Sequence, residues 1–334
     1  MPLQGAYAEL TEDVLNTYAP EYMAQLNPVA WEAVTVDGKI YGAPIEQIYV
    51  RQSGFYFNTE LADKYSFDYN SVTSLEDIEE YLQTIEENED KAEVTAYYMD
   101  SSQWTALTNY FDWDLLISAN VPGAVYASAD TPEVVNQFAT EEFKTFCEKM
   151  REWAKAGYLP EDAVTGAESC TGKQNAVYTL SAVKPGGDVT ESQAKGYEVK
   201  AIGIGDAYMT TSAITATITA VSATSKNVER AVAFINLLNT DKEILNLICH
   251  GVEGVDWQFT DEENGVIESI SDYPGLYSFF VGCVFNEYYT DATMVGTWEE
   301  TAEINANAGG SCILGFTFDS DPVSTQIAQC SAVV

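Results

Sequence analysis

The stretch that decides the fold is WEAVTVDGKIYGAPIEQIYVRQSGFYFNTEL, residues 31–61. Two apolar runs, AVTV and KIYGAPI, flank Asp37-Gly38, and Asp-Gly between such runs is a signal for a two-residue hairpin turn. The aromatic run SGFYF, residues 53–57, follows and predicts a strand that ends at Asn58. A helix is predicted to begin in TEL, residues 59–61. The stretch therefore leads from a hairpin through a strand into a helix.

Further signals extend this alternation along the chain. Residues that favour helix N-termini precede apolar runs of helical period, and the helix that begins after Thr140 is expected to end at Gly157, with Pro160 beyond. The predicted helix starts are Ser74, Thr140, Asn227, Thr240 and Asp321-Pro322. The predicted strands are EVTAYYM (93–99), NAVYTL (175–180), YEVKAIGIG (197–205) and ITATITAVSA (214–223). Strands mixed with helices indicate an α/β architecture.

Length and charge limit the classes of function. A chain of 334 residues can hold two domains of ordinary size. It has 15 basic and 52 acidic residues, a formal net charge of −37. Such a surface repels phosphate backbones and anionic lipid headgroups, which disfavours nucleic acid and bare membrane as partners. The acidity is equally compatible with acidic surfaces being general among the proteins of the host.

The inventory of histidine and cysteine disfavours several catalytic and metal sites. The single histidine, His250, precedes Gly251 and is predicted to lie at a helix C-terminus. One histidine makes a Ser-His-Asp relay or a histidine-rich zinc site a poor hypothesis, and the six cysteines show no CxxC spacing. No metal or cofactor is predicted. Pairing of Cys312 with Cys330 stays open.

The order of these motifs closely resembles that of extracellular solute-binding proteins of ABC importers. The resembling segments are residues 31–61, the block TSKNVERAVAFINLLNTDKEILNLICHGVEGVDW and the tail ILGFTFDSDPVSTQIAQCSAVV. The resemblance is to the maltodextrin-binding-like family 1, in a lipoprotein branch from Gram-positive bacteria. It implies a two-lobe, type II periplasmic-binding-protein-like α/β fold without catalysis, which captures an oligosaccharide by hinge closure and delivers it to membrane permease subunits.

The resemblance also implies a division into lobes. Residues 1–46 and 177–224 are expected in the first lobe, and residues 47–176 and 225–334 in the second. Members of the family carry two or three strand–helix units before a segment like residues 31–61, so an N-terminal truncation is expected here. The first lobe is then incomplete, and marginal stability or association through an unpaired sheet edge is expected. The full-length form is expected to be an extracellular lipoprotein.

One group of candidate ligand-binding residues lies in the segment SSQWTALTNYFDWD. The candidates in this segment are the aromatic residues Trp104 and Tyr110 and the acidic residue Asp112. Aromatic rings suit sugars because one face of a sugar ring is apolar while its rim carries hydroxyls. The resemblance implies a stacking role for Tyr110 only. Phe111 and Trp113 are alternatively core residues of a following helix.

Two further groups of candidates lie near expected lobe crossings. Tyr49 and Arg51 precede the aromatic strand, and Arg51 is expected to contact either the ligand or a carboxylate such as Glu46. Lys184 follows the returning strand. The remaining candidates are Phe316, Phe318 and Asp319 in the loop before the last helix. The two phenylalanines are expected to alternate along a strand, and Asp319 either binds hydroxyls or caps the helix.

Two rival functions are kept beside the oligosaccharide receptor. A receptor for a peptide or another polar solute needs charged partners for the ligand's termini, and Arg51 is nearly the only candidate. A surface glycan hydrolase needs two opposed carboxylates. Acidic pairs are so frequent in this chain that the sequence singles out none of them.

Overall fold

The computed structural model describes residues 5–100, 110–180 and 182–333. The chain forms two compact units: unit 1 is Met1–Val50 with Met209–Thr317, and unit 2 is Arg51–Tyr208 with Phe318–Val334. The boundary between residues 50 and 51 lies at the start of the strand Val50–Asn58, and the boundary between residues 208 and 209 lies at the end of the strand Val199–Met209. Helices and strands are mixed in each unit, as the α/β prediction requires.

The described helices are short except for two in the middle of the chain. They are α1 (Glu12–Tyr18), α2 (Pro20–Gln25), α3 (Pro28–Ala33), α4 (Thr59–Lys64), α5 (Glu79–Asn88), α6 (Glu141–Ala156), α7 (Gly187–Lys195), α8 (Thr211–Ile214), α9 (Val228–Thr240), α10 (Lys242–His250), α11 (Ser278–Val281), α12 (Thr297–Asn307) and α13 (Ser324–Ser331). Among the described residues, no helix is both long and apolar enough for a membrane span.

The described strands include two long ones, β4 and β9. They are β1 (Thr35–Val36), β2 (Lys39–Ile40), β3 (Ala43–Pro44), β4 (Val50–Asn58), β5 (Val94–Tyr98), β6 (Trp113–Leu115), β7 (Ala124–Tyr126), β8 (Gln174–Tyr178), β9 (Val199–Met209), β10 (Ile218–Thr219), β11 (Trp257–Asp261), β12 (Val266–Ser269) and β13 (Gly309–Gly310).

Unit 2 is built on a mixed sheet. Its strands lie in the order β9-β4-β8-β5, in which β8 runs parallel to β5 and antiparallel to β4. Helix α6 begins where the Thr140 hydroxyl accepts the N–H of Phe143 and ends at Gly157, whose φ of 86° is left-handed. The cap at Thr140 and the stop at Gly157 confirm the sequence prediction. The fully buried Trp153 packs on Tyr97 of the sheet, with ring centroids 5.6 Å apart.

Unit 1 has its own apolar core, formed mainly by short helices. Tyr22 and Trp31 meet edge to face with centroids 5.2 Å apart, and both belong to one buried cluster. The predicted hairpin is confirmed, because β1 and β2 pair antiparallel across Asp37 and Gly38, whose φ angles are 51° and 74°. Two consecutive left-handed residues are what a type I′ turn requires.

The long strand predicted over residues 214–223 is wrong. Thr211–Ile214 forms a helical turn instead, capped by the Thr210 hydroxyl, which accepts the N–H of Ala213. Only Ile218–Thr219 is a strand, and its partner is the two-residue strand Ala43–Pro44. A threonine hydroxyl that accepts a nearby backbone N–H favours a helical turn over a strand. In addition, a partner strand of two residues cannot support a longer run of strand pairing.

The two units differ from the predicted lobes in three stretches, of which the shortest, residues 47–50, was expected in the second lobe but lies in unit 1. Residues 177–208 were expected in the first lobe but lie in unit 2. The reason is that β8 pairs with β5, where Val177 lies opposite Tyr97. Residues 225–317 were expected in the second lobe but lie in unit 1, since α9 packs against α1 and α2.

Candidate functional site

Strand β6 of unit 2 is surrounded by an aromatic group that includes the candidate Tyr110. The ring of Phe111 stacks on Trp113 with centroids 4.3 Å apart, and Tyr110 meets Phe111 edge to face at 5.8 Å. The Tyr110 hydroxyl accepts the N–H of Leu75 at 3.5 Å, and burial raises its pKa. Trp113 is 8% exposed, which confirms the core alternative for it, although it lies on a strand and not on a helix. The candidate Trp104 lies outside the described residues.

Arg51 is the first residue of unit 2. Its side chain is partly buried, and burial lowers the pKa of its guanidinium while the carboxylate of Asp114 acts in the opposite direction. Asp114 is 4% exposed and belongs to β6. A guanidinium carries five N–H donors in a planar fork, which suits it to donate hydrogen bonds to a polar ligand.

Asp112 has a structural role that the sequence did not indicate. Its carboxylate accepts the backbone N–H of Ser128 at 3.3 Å and also the Ser128 hydroxyl, and its carbonyl accepts the N–H of Ala127 at 3.0 Å. These bonds tie the residues before β6 to those after β7. The nearby Tyr208 has a raised pKa, because of burial first and then the charges of Asp112 and Asp206. Tyr110 and Asp112 thus lie just before β6 in the chain, and Arg51 is linked to that strand through the charge of Asp114.

Lys184 lies in the loop before α7, as the sequence suggested. The residue is exposed, and its carbonyl accepts the N–H of Gly187 at 3.0 Å. A Cβ on Gly187 would lie 3.5 Å from the Lys184 Cγ and 2.9 Å from the Tyr56 hydroxyl. The lysine stem therefore lies over Gly187, and the turn is fitted closely to the sheet of unit 2.

Tyr49 belongs to the core of unit 1. It is 2% exposed, its hydroxyl donates to the carbonyl of Ile45 at 2.9 Å, and its N–H donates to Asn305 Oδ1 at 2.9 Å. Burial raises the pKa of this hydroxyl strongly. The expected contact between Tyr49 and the ligand is therefore corrected: the side chain is buried, and its hydroxyl already donates to a backbone carbonyl.

The loop before the last helix is not a strand. Residues 312–315 form a turn, closed by the N–H of Phe316, which donates to the carbonyl of Ile313 at 2.9 Å. The expected alternation of Phe316 and Phe318 is therefore wrong, although Phe316 is 52% exposed and Phe318 is half-buried. Asp319 Oδ1 accepts the N–H of Asp321 at 3.1 Å, which favours the capping alternative.

Glu46, the other expected partner of Arg51, is held within unit 1. Its carboxylate accepts Gln25 Nε2 at 2.6 Å and the Cys283 thiol at 3.5 Å. Burial raises its pKa, and the two hydrogen bonds oppose that rise. Cys283 itself is a buried thiol, 1% exposed.

Glu46→Gln is expected to stabilise the chain at pH 8. A carboxyl whose pKa is higher in the folded than in the unfolded state favours folding when protonated, so stability falls as the pH rises through the folded pKa. Glutamine removes that loss and keeps an acceptor for Gln25. Thermal unfolding from pH 8 down to pH 4 should show an advantage that shrinks as the pH falls. The exposed Glu253→Gln is the control, and a destabilised Glu46→Gln at pH 8 would contradict the assignment.

The sequence reasoning missed a group of exposed aromatic rings in unit 1. Tyr277 is 69% exposed, Phe279 38% and Phe280 57%. We call these three residues the aromatic shelf. Tyr277 stacks on Phe279 with centroids 5.4 Å apart, and Phe279 contacts Phe280 at 4.3 Å. The available signal was YPGLYSFF, residues 273–280, an aromatic-rich stretch beside a proline and a glycine.

Comparison with known proteins gives the class of protein. The family model described as bacterial extracellular solute-binding protein matches residues 3–248, and the chain belongs to that family. This confirms the resemblance drawn from the sequence motifs. The two-lobe type II fold class is also confirmed by the structural neighbours of the chain.

Two proteins to which this chain is similar come from Streptococcus pneumoniae. A carbohydrate ABC transporter substrate-binding protein of Streptococcus pneumoniae is 28% identical over 97% of this chain. The crystal structure of the N-glycan transport solute binding protein NgtS from Streptococcus pneumoniae matches with a TM-score of 0.84 at 24% identity, covering 98% of this chain and 72% of that one. Its complex with Man1GlcNAc matches with a TM-score of 0.78 at 25% identity, covering 99% and 74%. The chain spans 66% of the length of the curated relative, just under two thirds.

Proposed function

We propose that this chain is the substrate-binding component of an ABC importer and that it binds an oligosaccharide without catalysing a reaction. The observation that carries the proposal is the aromatic group at β6, where Tyr110 meets Phe111 edge to face and Phe111 stacks on Trp113, while the charge of Asp114 on the same strand acts on the partly buried Arg51. A donor-rich cation, a carboxylate and aromatic faces are the groups that a hydroxyl-rich ring can use together.

Family membership and the relatives support the same ligand class. The curated relative is a carbohydrate ABC transporter substrate-binding protein, and NgtS has been solved with Man1GlcNAc. The proposal extends to an extracellular location, to anchoring as a lipoprotein in the full-length form and to membrane permease subunits as partners. Ligand capture by hinge closure is part of it, with the ligand favouring the closed state through its additional contacts.

The charge balance makes peptides the weaker ligand class. A peptide presents a carboxylate as well as an amine, and the net charge of −37 opposes binding of the carboxylate. Arg51 is the candidate cation for such a group, and the charge of Asp114 already acts on its guanidinium. Neutral sugars carry no such cost.

A thermal-shift screen tests the proposal with neutral oligosaccharides, mannosyl-GlcNAc glycans among them, and oligopeptides as the contrast. A ligand at a hundred times its dissociation constant stabilises the folded state by about 2.7 kcal/mol. The shift should appear with glycans and be lost in Arg51→Met. The exposed Arg151→Met in the same unit should keep it. A shift with peptides alone, or with no compound, would overturn the proposal.

A further inference from the structure

One tyrosine of unit 2 that the sequence reasoning did not single out lies close to the residues around β6 and β7. Tyr208 is half-buried near the end of β9. The charge of Asp112 acts on its hydroxyl, and Ser128 is a hydrogen-bonding neighbour of the same group. Asp112 in turn accepts both the backbone N–H and the hydroxyl of Ser128. The end of β9 is thereby linked to the residue before β6 and to the loop after β7.

The Tyr208 hydroxyl keeps hydrogen-bonding capacity for a ligand. It donates to Asp206 Oδ2 at 3.4 Å, far longer than the roughly 2.7–2.8 Å at which O–H···O hydrogen bonds cluster. A phenol oxygen donates one hydrogen bond and also accepts. A ligand hydroxyl that approaches this oxygen more closely than Asp206 does can therefore replace the long bond with a better one.

The backbone of β9 places the phenol and a carboxylate on one face. Gly205 has a φ of 68°, which is left-handed, and a Cβ on it would meet nothing within 4 Å. A left-handed glycine inside a strand interrupts the regular ladder and redirects the side chains that follow. Asp206 and Tyr208 are two residues apart and share a face of the strand, as the hydrogen bond between their side chains shows.

The two carboxylates near Tyr208 are not neutralised by ion pairs. None of the ion pairs within the described part of the chain includes Asp112 or Asp206. The charge of Asp114, by contrast, acts on Arg51. Carboxylates without a cation accept hydrogen bonds from hydroxyls and repel another carboxylate.

We propose that Tyr208 binds the sugar at the β6 site, and that Asp112 and Asp206 make this site select neutral oligosaccharides over those that carry uronic acids. A neutral sugar offers hydroxyls to the phenol and to both carboxylates. A uronic acid brings a third carboxylate to the same place, and the charge of Arg51 is already shared with Asp114. The inference rests on the proposed oligosaccharide-binding function and adds to it a binding residue and a basis for selectivity.

The test is calorimetric titration of the full chain with two forms of one ligand. The first is the neutral oligosaccharide that gives the largest thermal shift, and the second is the same compound oxidised at its primary hydroxyls to uronic acids. The parent chain should bind the neutral form at least about tenfold more tightly. Tyr208→Phe should weaken binding of the neutral form about fivefold, as expected for one lost hydrogen bond. Asp206→Asn removes a charge and keeps an acceptor, so it should strengthen binding of the oxidised form about threefold.

Each variant has a matched control in the same unit. Tyr65→Phe is the control for Tyr208→Phe, because Tyr65 is also half-buried and its hydroxyl also donates to a carboxylate, that of Glu89 at 2.6 Å. Asp63→Asn is the control for Asp206→Asn, because Asp63 is exposed on α4 and the same charge is removed. Both controls should bind like the parent chain. Unfolding midpoints of all variants exclude a loss of folding as the cause.

The possible outcomes separate this inference from the proposed function. If the parent chain binds the neutral oligosaccharide and Tyr208→Phe binds it as tightly as Tyr65→Phe does, the role of Tyr208 is overturned while the receptor function stands. If Asp206→Asn binds the oxidised form no better than Asp63→Asn does, the basis for selectivity is overturned. A parent chain that binds neither form overturns the receptor function and this inference with it.

Discussion

Gly275→Ala is expected to destabilise unit 1 by about 3 kcal/mol, because the added methyl group meets backbone on the neighbouring helix. The Cβ would lie 1.7 Å from the carbonyl oxygen of Cys249 and 2.7 Å from its carbonyl carbon. Backbone atoms of a packed helix cannot move aside like the end of a flexible side chain, and overpacking of this kind typically costs 1–3 kcal/mol or more. The urea midpoint, followed by circular dichroism, measures the loss.

The control for this variant is Gly309→Ala. A Cβ on Gly309 meets nothing within 4 Å, and its φ is not left-handed. Its midpoint should equal or slightly exceed that of the parent, because alanine restricts the unfolded chain more than glycine does. Equal midpoints for Gly275→Ala and Gly309→Ala would show that the segment before α11 does not lie against α10 as described.

Trp153→Ala is expected to destabilise unit 2 by about 3–5 kcal/mol, the usual cost of truncating a fully buried tryptophan. The side chain is 0% exposed and lies between Tyr97 and Tyr158, with centroid distances of 5.6 Å and 6.5 Å. Alanine would leave a cavity between α6 and the sheet. Urea unfolding measures the effect, and Trp153→Phe should recover part of the loss.

Lys155→Ala on the same helix is the control for Trp153→Ala. Lys155 is exposed, so its truncation should change the midpoint by no more than about 0.5 kcal/mol. Because the chain has two compact units, unfolding need not follow one transition. Gly275→Ala and Trp153→Ala should then shift different transitions. A Trp153→Ala midpoint like that of Lys155→Ala would contradict the described core.

The sequence predicted secondary structure well where a turn or a helix end depends only on residues that are neighbours in the chain. Asp37-Gly38 forms the expected hairpin turn, and Thr140 and Gly157 bound α6 as their residue types indicated. The alternation in residues 214–223 misled, because the Thr210 hydroxyl caps a helical turn that the pattern does not reveal. The lobe boundaries depended on the pairing of β8 with β5, which is a long-range contact.

The candidate site was predicted less completely than the elements. Arg51 stood out as a rare cation, and its guanidinium is partly buried with the charge of Asp114 acting on it. Tyr49 looked similar in sequence, yet its side chain points into the core, and alternation does not say which face of a strand is covered. The aromatic shelf was missed because its exposure depends on Gly275 and Gly282 lying against other helices, which is a property of the packed structure.

The central claim is that the chain is a receptor for neutral oligosaccharides, and one measurement tests it most directly. Calorimetric titration of the unmodified chain with a panel of neutral oligosaccharides and a matched panel of oligopeptides compares the two ligand classes. Saturable binding of at least one oligosaccharide with a single-site stoichiometry, and none of any peptide, is the predicted result. Saturable binding of a peptide with no heat from any oligosaccharide would contradict the claim.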